Sequence, residues 1–285
     1  MEPGMHPLTP DQTSAYLAHL GLPAPQRLDR ETLDALIGAH LARVAFENLD
    51  VLLARPIHID AERVFAKVVE RGRGGYCFEL NGLFGRLLMS LGFRVTPLVA
   101  RVRWGLPAEA PLTLTSHLML RIDLADGAYL ADVGFGSANP TRALPLEGRE
   151  GLGDLPFRLL PPSETQGDFH LETRIGEAWL PVYHFDLQPQ PWIDYTPRNW
   201  YTSTHPDSLF CQMLVAARTE PGQRLTLRNG LFTRRTPDGQ AHQRTLTDPD
   251  AVLEVLQHEF RLALRDDELA ALRQRLAALL AATPG

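Results

Sequence analysis

Cys77 is the residue of this chain best equipped for covalent chemistry. It sits in RGRGGYCFELN, residues 71–81, directly after a double glycine and at the start of the most regular helical pattern in the sequence. The unpaired amides and the dipole of a helix N-terminus favour an anion, so a thiol there is biased towards its nucleophilic thiolate. The glycines permit a tight turn that leaves backbone donors, the Cys77 amide among them, free to face a developing oxyanion. The plainer reading is a buried helix cysteine, the usual fate of a free thiol. Cys211, in SLFCQMLVAA, has apolar neighbours and no such turn, and reads as inert.

A thiol of this kind needs a base, and the chain has ten histidines. His6, His19, His40, His58, His170, His242 and His258 lie in polar or helical contexts that suit surface or core positions. His117 follows Thr113, Thr115 and Ser116 and leads the strand-like run HLMLRIDL. Asp132 stands in the next run, YLADVGFG, between apolar residues where a bare carboxylate is costly unless paired. A tight turn at Asp126-Gly127 sets residue 121 opposite 132, so that 117 and 132 share a sheet face. It also leaves them four residues, about 13 Å, apart along the strands. A hydrogen bond then requires a bulge, a longer loop or a non-neighbouring strand, and Gly134 and Gly136 allow such irregularity. A structural aspartate beside a core histidine fits the same spacing.

Other chemistries find less support. HxxxH, CxxC and HExxH are all absent, and single Cys, His and Asp residues fall below the usual ligand count, so no metal is expected. The glycines at 72–75 lack a following GK[ST], and DVGFG is too short for a dinucleotide fingerprint.

Three stretches must position these residues. Residues 1–95 read as helices. Thr9-Pro10 caps the first and Gly21 ends it, and Asp29 and Asp60 open the next two. Leu80, Leu83, Phe84, Leu87, Leu88 and Leu91 mark the fourth, closed by Gly92. Residues 96–200 change period, with strand-like runs at 95–104, 117–124 and 129–133. Prolines at 140, 145, 156, 161 and 162 then argue for short strands in a small barrel or sandwich. Residues 201–285 carry hairpin signals at Asn229-Gly230 and Asp238-Gly239, then a helical stretch at 248–282 with a start at Asp266-Asp267. The fold class is α+β in three parts: a helical bundle, an antiparallel β-barrel and an α/β lid.

Composition narrows the partners. With 28 Lys+Arg against 34 Asp+Glu the net charge is −6, and without a basic run nucleic acid is not an expected partner. No run is long and apolar enough for a membrane span, and MEPGMHPLTP lacks the features of a secretory signal. Two cysteines cannot build a disulfide framework and suit a reducing, cytoplasmic setting. A monomer and a homo-oligomer fit equally well.

RGGYCFELNGLF at 73–84 resembles the active-site segment of the arylamine N-acetyltransferases. So do AFENLD at 45–50, SHLML at 116–120, DVGFG at 132–136 and NWYTSTHPDSLF at 199–210, in family order. The resemblance implies a catalytic triad of Cys77, His117 and Asp132 in a cysteine-protease-like core. It implies acetyl-CoA as co-substrate, no metal, and an arylamine, an arylhydrazine or an N-hydroxyarylamine as acceptor. Glu47 and Arg73 are implied to form a buried salt bridge. Phe135 is implied to lie by the acceptor pocket and Thr113 near the coenzyme's acetyl end; Phe46 and Gly134 complete the expected substrate-site residues. An amide synthase with another acyl donor, a cysteine hydrolase and an inactive binding protein are the alternatives.

Overall fold

The computed structural model describes residues 4–107, 109–147, 157–165 and 167–282. The helices α1 (Pro10–Leu20) and α2 (Arg30–Arg43) lead to a two-residue strand β1 (Phe46–Glu47) and a short α3 (Leu49–Leu52). Helix α4 (Ala61–Phe65) runs on into a π turn at Ala66–Glu70, and α5 (Cys77–Leu91) follows. Strands β2 (Arg94–Val102), β3 (Thr115–Leu124), β4 (Gly127–Ala131), β5 (Leu144–Pro145), β6 (Phe157–Leu160), β7 (Phe169–Ile175) and β8 (Ala178–Phe185) come next. A 3-10 turn at Trp192–Asp194 opens α6 (Tyr195–Thr204), with α7 (Leu209–Gln212) after it. The chain closes with β9 (Val215–Glu220), β10 (Gln223–Arg228), β11 (Leu231–Arg235), β12 (Ala241–Thr245), α8 (Pro249–His258) and α9 (Asp266–Ala282).

The caps read from sequence act as such. Thr9 accepts from the Gln12 amide, Gly21 turns left-handed at φ 74°, and Gly92 does the same at φ 99° after α5. Seven strands in the order β5-β4-β3-β2-β8-β7-β6 form a nearly closed, antiparallel, barrel-like sheet, with β5 and β6 as its edges among the described residues. Its inner face packs Leu98, Met119, Phe157, Leu171, Val182 and Phe185. Helix α5 lies against the other face, where Leu118, Leu120 and Ile122 meet its buried leucines. Proline 156 falls outside the described residues; Pro145 closes edge strand β5, and Pro161 follows β6. These edge and flanking positions cost no inner-ladder donor, whereas Pro97 and Pro181 lie within the inner strands β2 and β8.

The second sheet, β1-β9-β10-β11-β12, takes its edge strand from far upstream: Phe46 pairs with Ala217 and Glu47 with Ala216. Helices α8 and α9 cover this sheet through Leu253, Leu256, Leu272 and Leu276. They are separate helices. The expected helical stretch is interrupted at 259–265, where Arg261 is left-handed at φ 56° and Ala263 donates to the Gly72 carbonyl at 3.1 Å.

That link adjoins a buried ionic cluster behind the turn that precedes Cys77. Arg73 Nη2 donates to Glu47 Oε1 at 2.8 Å and its Nη1 to Glu268 Oε1 at 2.7 Å, all three side chains being almost wholly buried. Lys67, the only lysine, lies in the π turn and donates to Asp50 and to Glu79, each at 2.8 Å. Glu268 also accepts from the Arg265 amide, so the first turn of α9 is capped by the carboxylate that grips Arg73. Buried charges are tolerated only when matched in this way, and removing one partner typically costs about 3–5 kcal/mol. Since Arg73 would keep Glu47, Glu268→Ala should cost about 3 kcal/mol, read as a lower urea midpoint at unchanged slope.

Candidate active site

Helix α5 begins with Cys77, and a glycine is required two residues before it. A Cβ at Gly75 would lie 2.7 Å from Glu79 Oε2, the oxygen that accepts from the Tyr76 amide at 3.1 Å. Glu79 thus folds back over the turn and closes the helix start. Among the described residues nothing accepts from the Cys77 or Phe78 amides, which leaves both available to an incoming oxygen. The Cys77 thiol, 4% exposed, lies 3.7 Å from the Ser116 carbonyl.

Strand β3 carries a bulge at this point. Ala100 pairs with His117 but Arg101 pairs with Thr115, so Ser116 is the extra residue that turns its carbonyl to the thiol. The β3–β4 hairpin corrects the register expected from sequence. Its two-residue turn is Ala125-Asp126, with Leu124 opposite Gly127 and Arg121 opposite Leu130. Extending that register puts 132 opposite 119 instead of 121, and the offset from His117 falls from four residues to two. Diagonal neighbours of this kind are roughly 7 Å apart, within reach of long side chains. His117 Nε2 and Asp132 Oδ2 lie 2.7 Å apart, and no longer loop is needed. The ring's other nitrogen is not engaged by Asp132, and the Cys77 thiol nearby adds to the preference for the charged ring.

Asp132 is buried and fully engaged. Its Oδ1 accepts from Asn81 Nδ2 and the Gly134 amide, each at 2.9 Å, and its Oδ2 accepts from the Tyr183 hydroxyl at 3.1 Å in addition to His117. Burial pushes its pKa up, but His117 and these hydrogen bonds outweigh that and hold it below the usual carboxylate range. Burial likewise opposes charge on His117, and the Asp132 carboxylate overcomes it, holding the ring up at about 10. Around this pair stand Phe135, edge-on to His117 at 5.2 Å between ring centres, and Trp104, 6.4 Å from Phe135.

The remaining expected site residues have definite places. Gly134 packs against α5: a Cβ there would lie 2.8 Å from Cys77 Cα and 2.7 Å from Asn81 Nδ2. Phe46 is buried beneath Gly136 and against the Phe210 ring at 5.9 Å. Thr113 is half-buried, its hydroxyl donating to the Val102 carbonyl at 2.9 Å. Glu47 and Arg73 are paired as described above. Cys211 is half-buried in α7, and burial pushes its thiol up, away from the reactive anion.

Sequence reading missed Asn81, Tyr183, Lys67, Glu79 and Glu268. Asn81 left a signal, since it lies one helical turn after Cys77 and so on the same side of α5. Tyr183 left none, because its partner is 51 residues away, just after a strand three places across the sheet.

Because folding raises the His117 pKa, the stability this charge contributes is complete below pH 6.5 and drains away as pH rises through about 10. In a titration followed by imidazole ring-proton shifts, His117 should keep its cationic shift well past pH 8. In Asp132→Asn burial, the largest influence on the ring, is opposed only by the lesser pull of Cys77, and the midpoint should fall below 6.5. A wild-type midpoint near 6.5 would overturn the assignment.

Comparisons with known proteins extend along most of the chain. The family model described as N-acetyltransferase matches residues 29–269. The arylamine N-acetyltransferase of Mycolicibacterium smegmatis is 42% identical over 219 residues, 75% of this chain and 78% of that one. The Salmonella typhimurium protein named arylamine N-acetyltransferase / N-hydroxyarylamine O-acetyltransferase is 37% identical over 264 residues, 90% of this chain and 92% of that one. The structure of Mycobacterium marinum arylamine N-acetyltransferase in complex with CoA superposes with a TM-score of 0.88 at 32% identity, covering 94% of this chain and 99% of that one. The cysteine-protease-like α+β fold implied by the sequence is thus the fold observed. Alike to these enzymes along nearly its whole length, in sequence and in architecture, this chain belongs to the arylamine N-acetyltransferase family.

Proposed function

We propose that the chain moves an acetyl group from acetyl-CoA, through an acetyl-Cys77 intermediate, to the nitrogen of arylamines or arylhydrazines, or to the oxygen of N-hydroxyarylamines. The observation that carries this reading is the 2.7 Å pairing of Asp132 with His117, beside a thiol at the open amide end of α5 that helps to favour the ring's charged form. Asp132 orients His117 and stabilises its imidazolium; the imidazolium in turn holds the proton taken from Cys77. The thiolate attacks the thioester carbonyl carbon, and the oxygen's new charge falls to the unpartnered Cys77 and Phe78 amides.

One proton serves both halves of the cycle. When the carbon–sulfur bond to CoA breaks, His117 returns its proton to the departing thiolate and is left neutral. It can then take the proton of the acceptor nitrogen as that nitrogen attacks acetyl-Cys77, and the thiolate–imidazolium pair is restored. Arylamines suit the scheme because their weakly basic nitrogen is neutral, and so nucleophilic, at pH 7. The acetyl thioester must be kept from water meanwhile, a task to which the rings of Phe135 and Trp104 beside His117 are suited. No residue group among the described ones is arranged to hold a metal, and the scheme uses none. Two unpaired cysteines fit a cytoplasmic enzyme, and no helix among the described residues is long and apolar enough to cross a membrane.

Incubation with acetyl-CoA alone should add one acetyl group per chain, on Cys77, as read by mass spectrometry of peptides. Aniline should discharge it faster than water does. Cys77→Ala should abolish the label, and Asp132→Asn should lower kcat about 10³- to 10⁴-fold, as loss of the orienting carboxylate does in comparable triads. A label on Cys211 alone, or discharge by water as fast as by the amine, would defeat the proposal.

A further inference from the structure

A sheet edge exposes unpaired backbone groups, and proteins usually close it off. The two-residue edge strands β1 and β5 are closed in this way, by a bridge from Phe46 to Gly75 and by Pro145. Strand β12 is not. Its five residues are all exposed, none is proline, and its register with β11 runs without a bulge. The ladder shows which groups it leaves open. The Leu246 amide donates to the Gly230 carbonyl at 2.7 Å and the Thr236 amide to the Gln240 carbonyl at 3.0 Å. Pairs 230–246 and 236–240 are therefore hydrogen-bonded, and in an antiparallel ladder such pairs alternate with open ones. Leu231–Thr245, Thr233–Gln243 and Arg235–Ala241 are the open pairs. Ala241, Gln243 and Thr245 thus turn three N–H and three C=O groups away from β11, and no described strand takes them.

The unmatched charge around this edge has one sign. Arg244 stands on β12 itself, its guanidinium 5.9 Å from the Phe232 ring centre. Arg235 stands one strand in, opposite Ala241, whose methyl group is too small to cover it. Arg228 lies a further strand in, opposite Leu231. Among the described residues none of these three has a carboxylate within ion-pairing distance, whereas Arg234 beside them is matched by Glu259. The acids nearest in sequence are engaged elsewhere, Asp238 by the Thr236 hydroxyl and Asp248 as the cap of α8. A second copy of the same edge is a poor occupant. Antiparallel pairing about Gln243 sets Arg244 opposite the other copy's His242 and brings the two Arg244 side chains to diagonal positions on one face, where like charges repel.

We propose that the β12 edge is a docking surface for an extended acidic segment of another protein. The segment adds a strand beside β12, its backbone pairing with Ala241, Gln243 and Thr245. Its Asp or Glu side chains, alternating between faces, meet Arg244 on one side of the sheet and Arg235 on the other. Arg228 contributes to the attracting field without contact. None of these residues belongs to the site around Cys77, so acetyl transfer continues while the edge is occupied.

The test titrates the full-length chain into a fluorescent peptide that alternates Glu with Thr, read by anisotropy. Binding should saturate with a Kd of about 0.1 mM, as suits one short strand. It should weaken severalfold as salt rises from about 50 to about 300 mM. Arg235→Gln combined with Arg244→Gln should weaken it about tenfold, the loss of two charge-assisted contacts. Gln243→Pro removes the central donor, at the cost of one side-chain bond to Thr233, and should abolish binding. The same peptide N-methylated at alternate residues keeps its charge but cannot pair, and it should not bind; this arm decides the matter even where the proline variant fails to fold. Equal binding of the methylated peptide, or of single-stranded DNA of equal charge, overturns strand addition. So does the absence of saturable binding below about 1 mM, or self-association of the chain through β12 in place of peptide binding.

Discussion

Everything at this site follows from placing one carboxylate where water cannot reach it. A buried, ionised Asp132 is tolerable only if its oxygens are saturated, and four donors do so: an imidazole, a side-chain amide, a backbone amide and a phenol. Each donor comes from a different part of the chain. Asn81 brings helix α5, His117 brings β3, Tyr183 brings β8 and Gly134 brings the loop after β4. Satisfying the charge therefore fixes the relative position of four elements, and the imidazole so fixed is the one beside the thiol. Gly134 has no side chain because α5 must come this close.

A second buried charge problem is solved on the other side of Cys77. The turn at 72–76 would otherwise be a glycine-rich, mobile loop. Arg73 ties it to Glu47 on the edge of the second sheet and to Glu268 at the start of α9, while Lys67 holds Glu79 over the helix start. The π turn matters here, since the extra residue in its loop carries the chain from α4 to Arg73 with Lys67 turned inward. Such clusters add little net stability compared with an apolar core of the same volume. What they add is one allowed arrangement of a backbone that glycine leaves free.

How far the sequence disclosed this depends on whether a feature is local. Helix caps at Thr9, Gly21 and Gly92, the amphipathic run of α5 and the position of Cys77 at its start are written in adjacent residues, and they were legible. The β3–β4 register was misread by two because Asp126-Gly127 is a strong turn signal, yet the turn falls one residue earlier and Gly127 opens the strand at φ 146°. That single shift is what brings His117 and Asp132 into contact. The bulge at Ser116 has no signature in a Thr-Ser-His run, being set by pairing with β2. Lys67 and Glu268 look like solvated surface charges at helical spacing; only the folded chain shows that their partners are also buried. The break at 259–265 is likewise dictated from outside, by the Gly72 carbonyl it must reach.

Strand β1 is two residues long, and its neighbour in the sheet is encoded some 170 residues later. During synthesis the segment bearing the sulfur is made early but has no sheet to join, no Glu268 to grip Arg73 and no Tyr183 to complete the carboxylate's shell. Long-range closure of this kind is slow compared with helix formation. The nascent chain therefore carries its cysteine on an unfastened turn until translation has reached Glu268 at the start of α9. The turn that bears the sulfur is fastened late, when segments distant in the chain close around it.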